Sequence, residues 1–335
     1  MVMFDRFMLE EQFGWRVEQQ CPNALRLLDT EDLHFLRLAR QQAFKAGREV
    51  TLQDLHSEQA QREIAAIYRS DLTLIISEAE MQLLTEHFKV PKALLCYSPF
   101  WLDTEMAADL PGFEQRQHFV SIGNFRHEPN WQAVLWLKQQ IWPLIRKQLP
   151  KAELHIYGAY PPPKATALHN EREGFLVKGW AEDAHQVLQQ ARVCLAPLAF
   201  GAGLKGKLLD AMRCGTPSVT TEIGAEGMQS DAAWCGRIAN TAQQIAEAAV
   251  GLYLEPQGWQ EAQQLGYQLL QQKFALSQHG ERIWQQLEHV RVTLEQQRQT
   301  NFTGLMLRHH AHRSTKFMGQ WIEAKTRLAA FTQPD

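Results

Sequence analysis

Residues 200–212 read FGAGLKGKLLDAM, directly after the apolar run VCLAPL (193–198) and ahead of the helix breakers Gly215 and Pro217. A strand end, three glycines (Gly201, Gly203, Gly206) and a helix N-terminus form an arrangement that holds an anion. Glycine lets backbone N–H groups approach closely, and the helix dipole favours negative charge. Lys205 and Lys207 add point charges suited to a diphosphate. Asp210, i+3 from Lys207, is placed to accept hydrogen bonds from vicinal ribose hydroxyls. On spacing alone the stretch reads equally as a tight turn with a surface Lys207–Asp210 pair, because it is neither G-x-G-x-x-G nor a Walker A loop.

The surrounding pattern decides between the two. FVSIGNF (119–125), ELHIYGA (153–159), FLVKGW (175–180), PSVTT (217–221) and WCGRIA (234–239) read as strands, with helical patterns between them. The long helix after FVSIGNF takes Asn130 as its expected N-cap. Upstream, ALRLLD (24–29), DLTLIIS (71–77) and ALLCYSP (93–99) alternate with helices in the same way, and Ser77 with Glu80 has the spacing of a capping box. Alternating strands and helices imply parallel, doubly wound α/β sheets with ligands at the carboxyl ends of the strands. A polar stretch with a Pro-Gly break reads as a linker over 106–117. It separates a first domain (1–105) from a second (118–275), and a Gln-rich helical extension covers 276–335.

Bulk properties exclude several classes. The 335 residues carry a formal charge of −3, with 45% hydrophobic and 21% charged side chains, which describes a globular protein and gives no reason to expect broad nucleic-acid binding. Five cysteines, none in a CxxC pair, argue against a disulfide framework or zinc ribbon and suit a cytoplasmic location. No apolar run has the roughly 18 residues of a membrane span.

The ordered run FVSIGNF, AELHIYGA, VKGWAED, VCLAPLAFGAGLKGKLLDAMRCGTPSVTT and IGAEGM, over about 118–240, resembles the donor-binding domain of glycosyltransferase family four, of GT-B fold. SEAEMQLL and ALRLLDTEDLHFLR resemble the second half of that family's acceptor-binding domain. The resemblance implies two Rossmann-like domains facing a cleft, and a cytoplasmic enzyme. It would move a sugar from a nucleotide-sugar to a glycan or lipid-linked acceptor in bacterial surface polysaccharide synthesis. Retention of configuration and metal independence are implied too, the latter because no DxD motif is present and Arg and Lys replace a metal; the NDP-sugar is substrate, and no cofactor is expected.

Residue by residue, the resemblance places Gly201, Gly203, Lys205 and Lys207 on the diphosphate and Asp210 on the ribose, where the family usually has Glu. Counting back eight positions from Asp210 reaches Ala202, so the earlier carboxylate of the family's E-x7-E motif is missing and the chain looks like an FGAG-x-K-x-K branch. In GNFRHEPNW, Gly123 and Asn124 are expected to bind the donor and Arg126, two residues on, to neutralise the pyrophosphate. Trp180 is a stacking wall for the base or plain core packing. Glu222 and Glu226 in TTEIGAEGM are sugar-hydroxyl acceptors or polar loop residues. Asp32 and His34 in LDTEDLHFLR are candidates for the catalytic base, or helix-end residues.

Three further expectations follow. Compared with a full GT-B protein the first domain looks incomplete, by about 70–90 residues judged from ordinary domain sizes. That shortfall, with Ala202, raises the alternative of an inactive NDP-sugar-binding module or partner subunit, or an NDP-sugar epimerase. The basic stretch 306–331, with Phe317 and Trp321, reads as a helix folding back on the first domain or as a peripheral contact with the anionic inner membrane surface.

Overall fold

The computed structural model describes residues 1–104, 110–229 and 233–331, without the side chains of 310–315 and 329–331. The linker expected over 106–117 therefore lies partly outside the described residues. Contacts divide the chain into two units: 1–39, 50–99 and 280–335 in the first, and 40–49 with 100–279 in the second. The carboxyl-terminal segment from 280 thus groups with the first unit instead of forming a separate extension.

The first unit is a parallel sheet of β1 (Val2–Asp5), β2 (Arg26–Asp29), β3 (Leu72–Ile75) and β4 (Leu95–Tyr97), in that order. β1 runs in register with β2, Val2 opposite Arg26. The sequence reading missed it, since four residues give too short a period-two signal. Leu25, Leu27, Leu72 and Cys96 pack with Ile283 and Val290 of the helix Leu276–Val292. Arg298 fixes the carboxyl-terminal segment here: its guanidinium bonds the buried Asp71 carboxylate at 2.7 and 2.8 Å and donates to the carbonyls of Pro22 and Ala24.

Helix His34–Lys45 is capped from a distance. Leu33 N–H donates to Glu80, while His34 and Phe35 N–H donate to the two oxygens of the buried Glu63. Burial pushes the Glu63 carboxyl up to about 8. Ser77 occupies the N-cap position of helix Glu78–Gln82 but makes no side-chain cap bond, so the expected box does not close. Glu80 is drawn instead to a helix start 47 residues away.

The second unit is a six-stranded parallel sheet: β5 (Gln117–Ile122), β6 (Leu154–Tyr157), β7 (Phe175–Gly179), β8 (Ala191–Ala196), β9 (Ser218–Thr220) and β10 (Gly236–Ile238), ordered β10-β9-β8-β5-β6-β7. Phe119, Trp142, Ile156, Phe175 and Val193 are fully buried on one face, and Val120, Leu188, Cys194 and Cys214 close the other. Both faces are covered, so the strands read as continuous apolar runs. Because β6 and β7 extend one way from β5 while β8, β9 and β10 extend the other, the order reverses between β5 and β8. In open α/β sheets ligands bind at such a reversal, outside the strands' carboxyl ends.

Candidate functional site at the carboxyl ends of the second sheet

Five loops leave the carboxyl ends of β5–β9, and those after β5 and β8 meet at the reversal point. After β5 the chain turns at Gly123. A Cβ there would come within 2.6 Å of Lys207 Nζ and 2.7 Å of the Asn130 side chain, so a larger residue would push both aside. Asn124 Oδ1 accepts from Arg126 N–H, and Asn124 carbonyl accepts from Asn130 Nδ2. The N-cap of the following helix is His127, with Pro129 in its first turn. Asn130, expected as the cap, lies inside the helix and braces the loop instead.

Lys207 joins the two loops: its Nζ donates to Asn130 Oδ1 at 2.6 Å. Burial pulls its ammonium down to about 8. A lysine held partly desolvated gains from an arriving anion, the usual reason such shifts gather at binding sites. Lys205 behaves differently. It is 8% exposed and folds onto its own loop, donating to the carbonyls of Gly203 (2.6 Å) and Ala202 (3.2 Å). Gly203 takes a left-handed backbone (φ 62°) inside that loop. The helix Gly206–Arg213 starts immediately afterwards, with its positive dipole end at this loop.

Asp210 sits one turn into this helix, half-exposed, with His185 Nε2 at 3.4 Å. The Lys207–Asp210 pair of the alternative, tight-turn reading does not form: Lys207 bonds Asn130, and Asp210 meets His185. His185 stands in helix Ala184–Gln190, whose N-cap Asp183 accepts from His185 and Gln186 N–H. Just upstream, Gly179 turns the chain in the left-handed region (φ 79°) and leaves Trp180 68% exposed, which removes the core-packing reading of that residue. Arg126 is exposed and lies over the Tyr160 ring at 3.7 Å, within the cation–π range.

After β9, Thr221 Oγ1 donates to Leu198 carbonyl and accepts from Gly224 N–H, tying this turn to the β8 loop. Glu222 is exposed, its N–H held by Asn240 Oδ1. Glu226 forms a two-point ion pair with Arg40 at 2.6 and 2.7 Å, and Arg40 also donates to Gly201 carbonyl. Arg40 therefore clamps the glycine loop to the GAEGM turn. Nothing local in the sequence marks Arg40, which is 186 residues from Glu226; His185 offered only its place on the helix after VKGW.

Asp32 and His34 belong to the first unit. Asp32 bonds Arg37 Nε at 2.7 Å and lies 3.4 Å from His34 Nε2. Burial pulls the His34 imidazole below its ordinary value.

Residues 116–255 match the family model described as Glycosyl transferases group 1. An uncharacterized 44.6 kDa protein in the cps region of Klebsiella pneumoniae is 26% identical over 164 residues, 47% of this chain and 40% of that protein. Among solved structures, a TarM variant of S. aureus in complex with fondaparinux, alpha-GlcNAc-glycerol and UDP aligns with TM-score 0.63 at 12% identity, covering 80% of this chain and 52% of that one. Sucrose-phosphate synthase from Thermosynechococcus elongatus aligns with TM-score 0.64 at 18% identity (86% and 73% covered). Anabaena HepE in complex with UDP and glucose aligns with TM-score 0.58 at 14% identity (78% and 77%). The chain spans about half the length of TarM and less than half of the Klebsiella relative. The second unit thus matches the group 1 glycosyl transferases in sequence, within a chain whose two Rossmann-like domains have the GT-B fold.

Proposed function

We propose that the second unit binds a nucleotide-sugar and that the chain transfers its sugar to a glycan or lipid-linked acceptor in bacterial surface polysaccharide synthesis. The observation that carries this is the Lys207–Asn130 bond joining two glycine loops at the strand-order reversal. In this reading Lys207, Arg126 and the loop amides take the diphosphate, Asp210 the ribose, Trp180 the base and Glu222 the sugar. Lys205 joins the diphosphate ligands when it exchanges its two loop carbonyls for phosphate oxygens, as in an FGAG-x-K-x-K branch. Positive charge placed where the leaving diphosphate develops its charge is electrostatic catalysis and needs no metal. Glu226 acts through Arg40 on loop position. Asp32 and His34 supply the acceptor-side base, and the anomeric configuration is retained.

UDP-, GDP- and ADP-sugars with mixed acceptors test this by NDP release, which Lys207→Met should abolish. Ala202, small and buried where a donor-contacting carboxylate is usual, favours a second reading as an NDP-sugar-binding module. Tight donor binding with no turnover on any acceptor would select it, and turnover of donor alone would select an epimerase. We also place the chain in the cytoplasm, at the inner membrane surface. Helix Phe302–Phe331 exposes Phe317, Met318, Trp321 and Ile322 beside Lys325 and Arg327, while no described helix is long and apolar enough to cross a membrane. Co-sedimentation with anionic but not neutral vesicles tests that placement.

A further inference from the structure

We propose a divalent transition-metal site of the zinc class at the opposite, amino-terminal edge of the second sheet, formed by His118, Glu153 and His155. In parallel register Val120 lies beside His155, and residues two apart on a strand share a face. His118 before Val120, and Glu153 before His155, are therefore brought to one patch of sheet surface. Their ligating atoms lie within 4.8 Å of one another. His155 Nε2 is 2.8 Å and His118 Nδ1 3.6 Å from the same oxygen, Glu153 Oε2, and the two rings stack with centroids 4.3 Å apart.

The donor set is chemically apt. Two imidazoles and one carboxylate match zinc-class ions, which take three protein ligands and complete their sphere with solvent. A cavity of about 140 Å³ beside the patch, lined by Tyr157, Lys178, Val187 and Gln190, gives room for that solvent. His118 holds a left-handed backbone (φ 63°), which histidine adopts more readily than most non-glycine residues. The charges of Lys178 and Arg192 oppose a cation here, while Glu153 offsets one of them. This edge is remote from the carboxyl-end loops, so the ion would clip β5 to the start of β6 and take no part in sugar transfer.

The test uses the tag-free full chain, stripped with EDTA, titrated with Zn²⁺ by calorimetry and with Co²⁺ by visible absorption, and Mg²⁺ as control. One Zn²⁺ equivalent is expected, with a ligand-field Co²⁺ spectrum and no Mg²⁺ binding. His155→Ala should weaken that equivalent by more than the roughly 10–100-fold of an outer-shell change. Glu153→Gln, isosteric and on a half-exposed side chain, should weaken it without unfolding the protein, and Lys178→Met should tighten it. The chain has rival donors in the His56–His87 contact and the run HHAH (309–312). Zn²⁺ affinity unchanged in both His155→Ala and Glu153→Gln, or no binding by the wild type, overturns the site.

Discussion

Replacing Lys207 by Met should stabilise the protein while removing its affinity for nucleoside diphosphates. The Lys207 ammonium titrates near 8 instead of 10.5 because folding strips it of water. At 1.36 kcal/mol per pKa unit, the charged side chain costs the fold about 3 kcal/mol at pH 7. Met also forfeits the 2.6 Å bond to Asn130, worth about 1.5–3 kcal/mol as a hydrogen bond to a charged group. The net is a gain of about 1 kcal/mol, or roughly 2–4 °C in Tm for a unit of this size. The sign with pH follows from proton counts. Between about pH 8 and 10.5 the unfolded chain binds the Lys207 proton while the folded one does not, so wild-type stability rises with pH through that window. The advantage of Met is therefore largest below pH 8 and shrinks by pH 10. Thermal scans at pH 7 and pH 9.5, with calorimetric titration of UDP, GDP and ADP, read both effects. A variant that melts earlier at pH 7 and still binds the wild type's NDP with unchanged affinity would refute the reasoning, leaving Lys207 as a strut for Asn130.

Gly123→Ala should weaken the same NDP by about tenfold or more, since the added Cβ would sit 2.6–2.7 Å from Lys207 Nζ and the Asn130 side chain and push both aside; titration reads the loss. Arg40→Ala frees Glu226 and the Gly201 carbonyl. We expect lower NDP affinity and faster hydrogen exchange in 200–206 and 224–228, with Glu226→Gln giving a smaller change of the same kind. Trp180→Ala, at an exposed position, should leave Tm within about 0.5 kcal/mol equivalent while weakening NDP binding, as paired melts and titrations will show. Arg298→Ala should destabilise the first unit by about 3 kcal/mol in denaturant unfolding, because it abandons the buried Asp71 carboxylate.

The local backbone around several candidate positions is legible in the sequence because it depends on neighbours in the chain. Gly123 lies where a Cβ would crowd Lys207 and Asn130, and Gly203 takes a left-handed backbone. Lys207 and Asp210 fall on the helix that GKLLDAM predicts, and Trp180 follows a strand end. Side-chain partners were much less legible. Asn130 looked like a cap and is a brace, and Glu80 looked like half of a capping box and caps another helix. Lys205, read as a phosphate ligand, donates to its own loop carbonyls, and Glu226 is paired with a residue no motif contains.

The sequence by itself determined the alternation of strand and helix, the parallel sheets and the glycine turn at 201–206. Apolar runs of strand length and helical periodicity record local backbone state and burial on both sheet faces. Only the tertiary structure decided which loops meet, because the order β10-β9-β8-β5-β6-β7 sets the loop after β5 beside the loop after β8. That adjacency lets Lys207 reach Asn130, 77 positions away, and the folded path of the chain brings Arg40 to Glu226. Such partners are chosen by strand order and packing in space, for which local periodicity holds no record.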